Sequence, residues 1–285
     1  MPSTYIEVAI AAREELRDEL VALLGQLGFE GFWEDGTTLK CFINELRWSP
    51  SLQHEVEDVV RMIHSTSRSA APEFSVSRIE NVDWNAEWEK TIRPIRVGQH
   101  FVIAPSWHPH TPEPGDLVLT IDPKMSFGTG YHETTRLTLC LLEQTVHTGD
   151  RVLDIGTGTG VLAIAALKLG AESAVGIDID EWSEMNAREN ARVNDVADRF
   201  TILRGTLDDV PPERFDLVVA NIQRSILVPI MSGMVQRLQP SGRLLLSGLL
   251  IGDEEEITRS ATEAGARIVT RESENEWIAL SLQLM

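Results

Sequence analysis

Cysteine is nearly absent: the chain of 285 residues has two, Cys41 and Cys140, far apart and without CxxC spacing. A disulfide framework and a cysteine-based zinc site are therefore not expected, and the usage fits a reducing compartment. No apolar run approaches the roughly 18 residues that a bilayer-spanning helix needs. The opening MPSTYIEVAIAAREELRDEL has no basic region and turns acidic at once, unlike a secretory signal. These absences lead to the expectation of a soluble, cytoplasmic protein without a membrane partner. Lysine is scarce as well, confined to Lys40, Lys90, Lys124 and Lys168, and nowhere do Lys and Arg cluster. The balance is 44 acidic against 25 basic residues, a net charge of −19, and both the first 80 residues and the remainder are acidic. Tight binding to naked nucleic acid usually needs a basic surface that releases counterions, so direct nucleic-acid binding is not expected. An acidic surface suits a basic protein partner, through steering and complementarity, although net charge also simply maintains solubility.

What is present is a change of pattern along a chain long enough for two unequal domains. Residues 4–10 (TYIEVAI) alternate as a strand. Residues 13–28 follow as a helix, with Leu16, Leu20, Leu23, Leu24 and Leu27 at helical spacing and Gly28 as its cap. The DG pair within 30–45 marks a tight hairpin. Ser49-Pro50 opens a helix over 51–65 whose apolar face is Leu52, Val56, Val59, Val60 and Ile63. A strand over 73–80 completes the β-α-β-β-α-β order of a ferredoxin-like domain, residues 1–80. It shows no catalytic constellation and reads as a recognition module. Residues 81–97 are expected as a linker helix with Trp84 and Trp88 one turn apart. Residues 99–107 and 117–123 then read as a hairpin around the loop 109–115, opening a second domain over 98–285.

From residue 134 helices alternate with strands expected near 151–155, 174–178, 200–204, 215–220, 242–247, 266–271 and 276–282. Runs such as DLVVA (216–220) and RLLLS (243–247) are almost continuously apolar, as in a sheet covered by helices on both faces. Only the charged turn 272–275 separates the last two strands, which implies a terminal antiparallel hairpin on an otherwise parallel sheet. The fold expected is α/β and Rossmann-like.

The stretch 152-VLDIGTGTGVLAIAALKLG-170 passes from an apolar strand through Gly156, Gly158 and Gly160 into a helix. Glycines there let the backbone turn sharply and approach a ligand. Asp178 ends the next strand, 22 residues after Gly156, and can accept both ribose hydroxyls of an adenosine. Hydrogen bonds to such a charged group contribute roughly 1.5–3 kcal/mol. Dinucleotide enzymes want G-x-G-x-x-G, but position 161 is Val and the spacing is G-x-G-x-G. A nicotinamide oxidoreductase is thereby disfavoured, and S-adenosyl-L-methionine is the cofactor expected.

Two segments flank this turn, 126-SFGTGYHETT-135 and 220-ANIQ-223, the latter at the carboxyl end of the fourth parallel strand, where open α/β sheets keep their sites. Methyl transfer to an amine requires a held nitrogen and acceptors for its N–H groups. Asn221 is suited to that, or else caps the following helix. His132 is either a base or a structural hydrogen-bonder; Thr134 and Thr135 are suited to cap the following helix, and Thr135 equally to touch the cofactor's amino-acid end.

In order along the chain, WNAEWEKTIRPIRVG, VIAPSW, FGTGYHETT, VLDIGTGTGVLAIAALKLGA, GIDID, DLVVANI, LLLSGLL and ENEWIAL resemble the ribosomal protein L11 methyltransferases (the PrmA type) over about residues 80–282. Residues 1–80 agree in expected topology. The resemblance implies a class I S-adenosylmethionine methyltransferase domain behind a substrate-recognition domain, acting as a monomer. It implies methylation, up to trimethylation, of lysine ε-amines and the N-terminal α-amine of ribosomal protein L11; a lysine of another protein, such as a flavoprotein subunit, is the alternative substrate. Cofactor contacts are implied at Phe127, Gly128, Thr135, Gly156, Gly158, Gly160, Asp178 and Asn221, with Asn221 also at the transferred methyl and no metal involved. The family usually has Thr and Pro where Tyr131 and Glu133 stand, and reads NIL where Gln223 follows Ile222.

Overall fold

A computed structural model describes residues 4–12, 14–65, 74–79, 93–122 and 130–285. The chain divides into two compact units, Met1–Thr91 and Ile92–Met285. In the first, β1 (Tyr5–Ala11), β2 (Gly31–Asp35), β3 (Thr38–Asn44) and β4 (Phe74–Ile79) form a sheet in the order β2-β3-β1-β4, all neighbours antiparallel. Two helices, α1 (Glu14–Gln26) and α2 (Pro50–Ser65), complete the ferredoxin-like order. The period-2 alternation of β1 and β3 sends Ile6, Val8, Ile10, Leu39, Cys41 and Ile43 into one core. Leu20 and Leu24 of α1 meet Val56, Val60 and Ile63 of α2 in that core, as their spacing requires. The Ser49 hydroxyl accepts from the Leu52 N–H at 3.2 Å, the expected cap. In the hairpin, Asp35 pairs with Thr38, so Gly36 (φ +58°) takes the first loop position and Asp35 ends the strand.

The second unit is built on a seven-stranded sheet: β8 (Arg151–Ile155), β9 (Ser173–Asp178), β10 (Phe200–Arg204), β11 (Phe215–Asn221), β12 (Leu238–Leu250), β13 (Ala266–Glu274) and β14 (Trp277–Leu284). The order is β10-β9-β8-β11-β12-β14-β13. Strands β8 to β12 are parallel to one another, and β14 runs antiparallel to β12 and β13. The closing hairpin turns through Asn275, at φ +52°, as the sequence implies. Successive side chains of the central strands reach opposite faces. Val152, Leu217, Val219 and Leu245 pack with α3 (Glu133–Thr145), α4 (Val161–Lys168) and α5 (Glu181–Val193). Leu153, Val218, Ala220, Leu244 and Leu246 pack with α6 (Arg224–Gln236) and α7 (Glu254–Glu263).

Two expectations are corrected. Ile95–Val97, taken as the end of a linker helix, form strand β5; residues 80–92, with Trp84 and Trp88, lie outside the described residues. Strands β6 (Phe101–Ala104) and β7 (Leu117–Thr120), read as a hairpin, pair in parallel. The connection of twelve residues between them is long enough for a parallel crossover, which a hairpin loop is not. It is fastened where Arg96 of β5 binds Asp116 and Glu113, each at 2.7 Å.

Leu24 is fully buried in the smaller core. Leu24→Ala is expected to lower the unfolding free energy of the first unit by about 2–5 kcal/mol. Urea unfolding followed by tryptophan emission checks this; a change below about 1 kcal/mol would show that the core does not depend on the α1 leucines.

Candidate active site at the carboxyl ends of the strands

The glycine turn leaves β8 and is stitched at once to β9. The N–H groups of Gly156 and Thr157 both donate to the Ile177 carbonyl, at 2.8 and 3.1 Å. The Gly158 N–H donates to the Asp178 carboxylate at 2.9 Å, and the Asp180 N–H to its other oxygen at 3.0 Å. Asp178 is thus fixed at the end of β9, while each carboxylate oxygen keeps acceptor capacity for a ligand hydroxyl. All three glycines have left-handed φ, +72°, +53° and +81° for Gly156, Gly158 and Gly160. Gly160 is the N-cap of α4, as a strand-to-helix turn requires.

Asn221 ends β11 on the other side of β8, paired with Ser247 of β12. Its Nδ2 donates to the Thr135 hydroxyl at 3.4 Å, which joins two of the residues named from sequence across 86 positions. Gln223, not Asn221, occupies the N-cap of α6, so Asn221 is not that helix's cap. Ile222 next to it was not anticipated. A Cβ on Gly156 would collide with the Ile222 Cγ2, and one on Gly248 would lie 2.7 Å from the Ile222 carbonyl oxygen. Ile222 is therefore seated between two backbones that only glycine lets come this close.

His132 caps α3, its Nδ1 accepting from the Thr134 N–H at 3.3 Å and lying 2.9 Å from the Thr134 hydroxyl. Its ring stands edge-on to Trp277, centroids 4.8 Å apart. With Nδ1 engaged in the cap, the capping role weighed for Thr134 and Thr135 falls to His132. Thr135 is buried, 2% exposed, beside Asn221. Phe127 and Gly128 lie outside the described residues.

Behind the turn lies Asp154, in the middle of β8 and 1% exposed. One carboxylate oxygen accepts from the Thr157 hydroxyl at 2.7 Å, and the other has no partner. Burial first, with Asp178 nearby adding repulsion, pushes its carboxyl up to about 6, against the stabilising bond from Thr157. The signal was available in VLDIG, an acid inside an otherwise apolar buried strand. Among the described residues no cluster of His, Cys, Asp and Glu is arranged to hold a metal.

Comparisons with known proteins bear on this arrangement. The family described as "Ribosomal protein L11 methyltransferase (PrmA)" matches residues 4–284. The chain belongs to that family. The ribosomal protein L11 methyltransferase of Chlorobaculum parvum is 34% identical over 283 residues, 98% of this chain and 96% of the relative. That of Symbiobacterium thermophilum is 42% identical over 202 residues, 71% of this chain and 66% of the relative. Among solved structures, the ribosomal protein L11 methylase of Lactobacillus delbrueckii subsp. bulgaricus superposes with a TM-score of 0.64 at 31% identity. It covers 68% of this chain and 99% of that one. The positions at which this member of the L11 methyltransferase family departs from the usual run are engaged locally. The Tyr131 hydroxyl donates to the Arg93 carbonyl at 2.5 Å, and Glu133 accepts from the Asn275 amide at 3.1 Å in the first turn of α3. Arg224, after Gln223, pairs with Asp253 at 3.0 Å.

Asp154 generates a pH prediction. Its pKa is about 6 when folded, against the ordinary 3.8, so between these values the folded state holds the extra proton. Its contribution to stability therefore falls as pH rises from 4 to 6, and the penalty of a buried carboxylate is complete above 6. Asp154→Asn is expected to be more stable than wild type at pH 7.5 by roughly 1–3 kcal/mol, with the gap vanishing near pH 4. Urea unfolding of both across pH 4–8 checks this; parallel curves would contradict it.

Proposed function

We propose that this protein transfers methyl groups from S-adenosyl-L-methionine to amines of ribosomal protein L11, at lysine ε-amines and the N-terminal α-amine, up to the trimethyl level. The observation that carries the reading is the pairing of two fixed features across the end of β8. On one side stands the glycine turn with its N–H bonded to Asp178; on the other stands Asn221, held by Thr135. The residues fit the cofactor. Each oxygen of the Asp178 carboxylate takes one backbone N–H and keeps acceptor capacity for a ribose hydroxyl, beside a turn whose three glycines all hold left-handed φ. When bound, the cofactor supplies an electrophilic methyl on positively charged sulfur.

The remaining work belongs to the chain. Asp178 would hold the ribose hydroxyls and the glycine amides would line the cofactor's other edge. The Asn221 side-chain oxygen, to which no described residue donates, would accept an N–H of the incoming amine and orient its lone pair. Its Nδ2 bond to Thr135 keeps the amide from rotating. No strong base is required: an amine that arrives neutral needs only acceptors for its hydrogens, and each methylated ammonium would lose one proton to water before the next transfer. Few fixed donors at the amine leave room for a nitrogen that grows with each methyl. The net charge of −19 favours a basic protein substrate through steering. The first unit, whose described residues carry no comparable polar constellation, would serve recognition, and the enzyme would act as a monomer in the cytoplasm.

Mass spectrometry of ribosomal protein L11 from cells with and without the gene tests the reading. Loss of mass in multiples of one methyl group is expected; unchanged mass would refute the substrate. In purified enzyme, Asn221→Ala is expected to reduce kcat by about 10²-fold or more with the fold intact. Wild-type turnover in that variant would remove Asn221 from the chemistry.

A further inference from the structure

Two asparagines four residues apart, Asn190 in α5 and Asn194 at its C-cap, are 1% and 4% exposed. Four residues of helix rise about 6 Å and two residues of strand about 6.6 Å. A helix laid along a strand can therefore offer one side chain to every second backbone position. Asn194 does this for Thr120 at the end of β7: its Oδ1 accepts from the Thr120 N–H at 3.0 Å and its Nδ2 donates to the Thr120 carbonyl at 2.6 Å. It imitates a partner strand on the edge that β6 leaves open. One turn earlier Asn190 makes a different pair of bonds. Its Oδ1 accepts from the Asp122 N–H at 3.2 Å, while its Nδ2 donates to the Thr159 carbonyl at 2.9 Å. Thr159 stands between Gly158 and Gly160. Among the described residues, Asn190 is the one side chain bonded to both the glycine turn and the chain leaving β7.

We propose that Asn190 is a positioning residue for cofactor binding, its amide fixing the glycine turn at Thr159 against the backbone at Asp122. The inference rests on the reading of that turn as the S-adenosyl-L-methionine site. Asn190 acts through the carbonyl of Thr159, the residue that follows Gly158, whose N–H Asp178 holds. Without the tie the turn keeps its bonds to β9 but loses its reference to β7, and the ordering falls on the ligand, which weakens affinity. Asn194 is a matched control: it is equally buried, makes bonds to the same stretch of backbone, and touches no residue of the turn.

Calorimetric titration of S-adenosyl-L-methionine and S-adenosylhomocysteine into wild type, Asn190→Ala and Asn194→Ala, with urea unfolding of each, tests this. Both variants should lose stability to a similar degree. Asn190→Ala alone should bind both ligands more weakly, by about 3- to 10-fold, and raise the cofactor KM with kcat nearly unchanged. Equal affinity losses in the two variants, or none in Asn190→Ala, would overturn the proposal. Asn190→Asp preserves the shape. Its ionised carboxylate cannot donate to the Thr159 carbonyl, whereas its protonated form can. The affinity of Asn190→Asp relative to wild type should recover as pH falls from 8 to 5; a ratio that does not change with pH would overturn the proposal. Absence of binding by wild type itself would overturn the reading of the site, and this inference with it.

Discussion

The hydrogen bond from the Gly158 N–H to the Asp178 carboxylate, 2.9 Å long, is the constraint on which the rest of the site depends. It joins the turn after β8 to the end of β9, and the same turn is bonded twice more to the Ile177 carbonyl. A loop of three glycines would otherwise have the largest conformational entropy of any segment its length. Tied in this way, it is ordered before a ligand arrives. The acid that tethers it is also the group proposed to meet the sugar, so one side chain would supply both rigidity and recognition.

The sheet makes this possible. Helices cover both faces of the central strands, so their side chains are apolar on both sides and polar groups collect at the carboxyl ends. Asp178 and Asn221 stand at the ends of β9 and β11, the neighbours of β8 on its two sides. Ile222 then lies between Gly156 and Gly248, its side chain against the first and its backbone against the second, so the turn, β11 and β12 are packed against one another through one residue. Asp154 is the expense of this arrangement: a carboxyl buried beneath the turn, with the Thr157 hydroxyl on one oxygen and the Ala163 backbone also favouring its charged form.

Much of this was legible in the sequence because it was local. The leucine spacing of α1, the Ser49 cap, the apolar runs of β11 and β12 and the closing hairpin each follow from periodicity or turn chemistry within a few residues. The positions of the glycine turn, Asp178 and Asn221 at strand ends follow from the apolar runs that precede them. What was missed depends on contacts distant in sequence. The parallel pairing of β6 with β7 turns on Arg96 clasping a crossover that ends at Asp116. The place of Ile222 is set by two glycines 92 positions apart, and nothing in its own neighbourhood announces it. Asn190 and Asn194 carry only a four-residue spacing, which says nothing of Thr159 or Thr120 until the helix is laid along the strand.

The most direct test is a crystal structure of the protein with S-adenosyl-L-methionine. The account predicts ligand density along Gly156–Gly160, with both ribose hydroxyls within hydrogen-bonding distance of the Asp178 carboxylate and the sulfur facing Asn221. Density at another place, or a ribose turned away from Asp178, would contradict it.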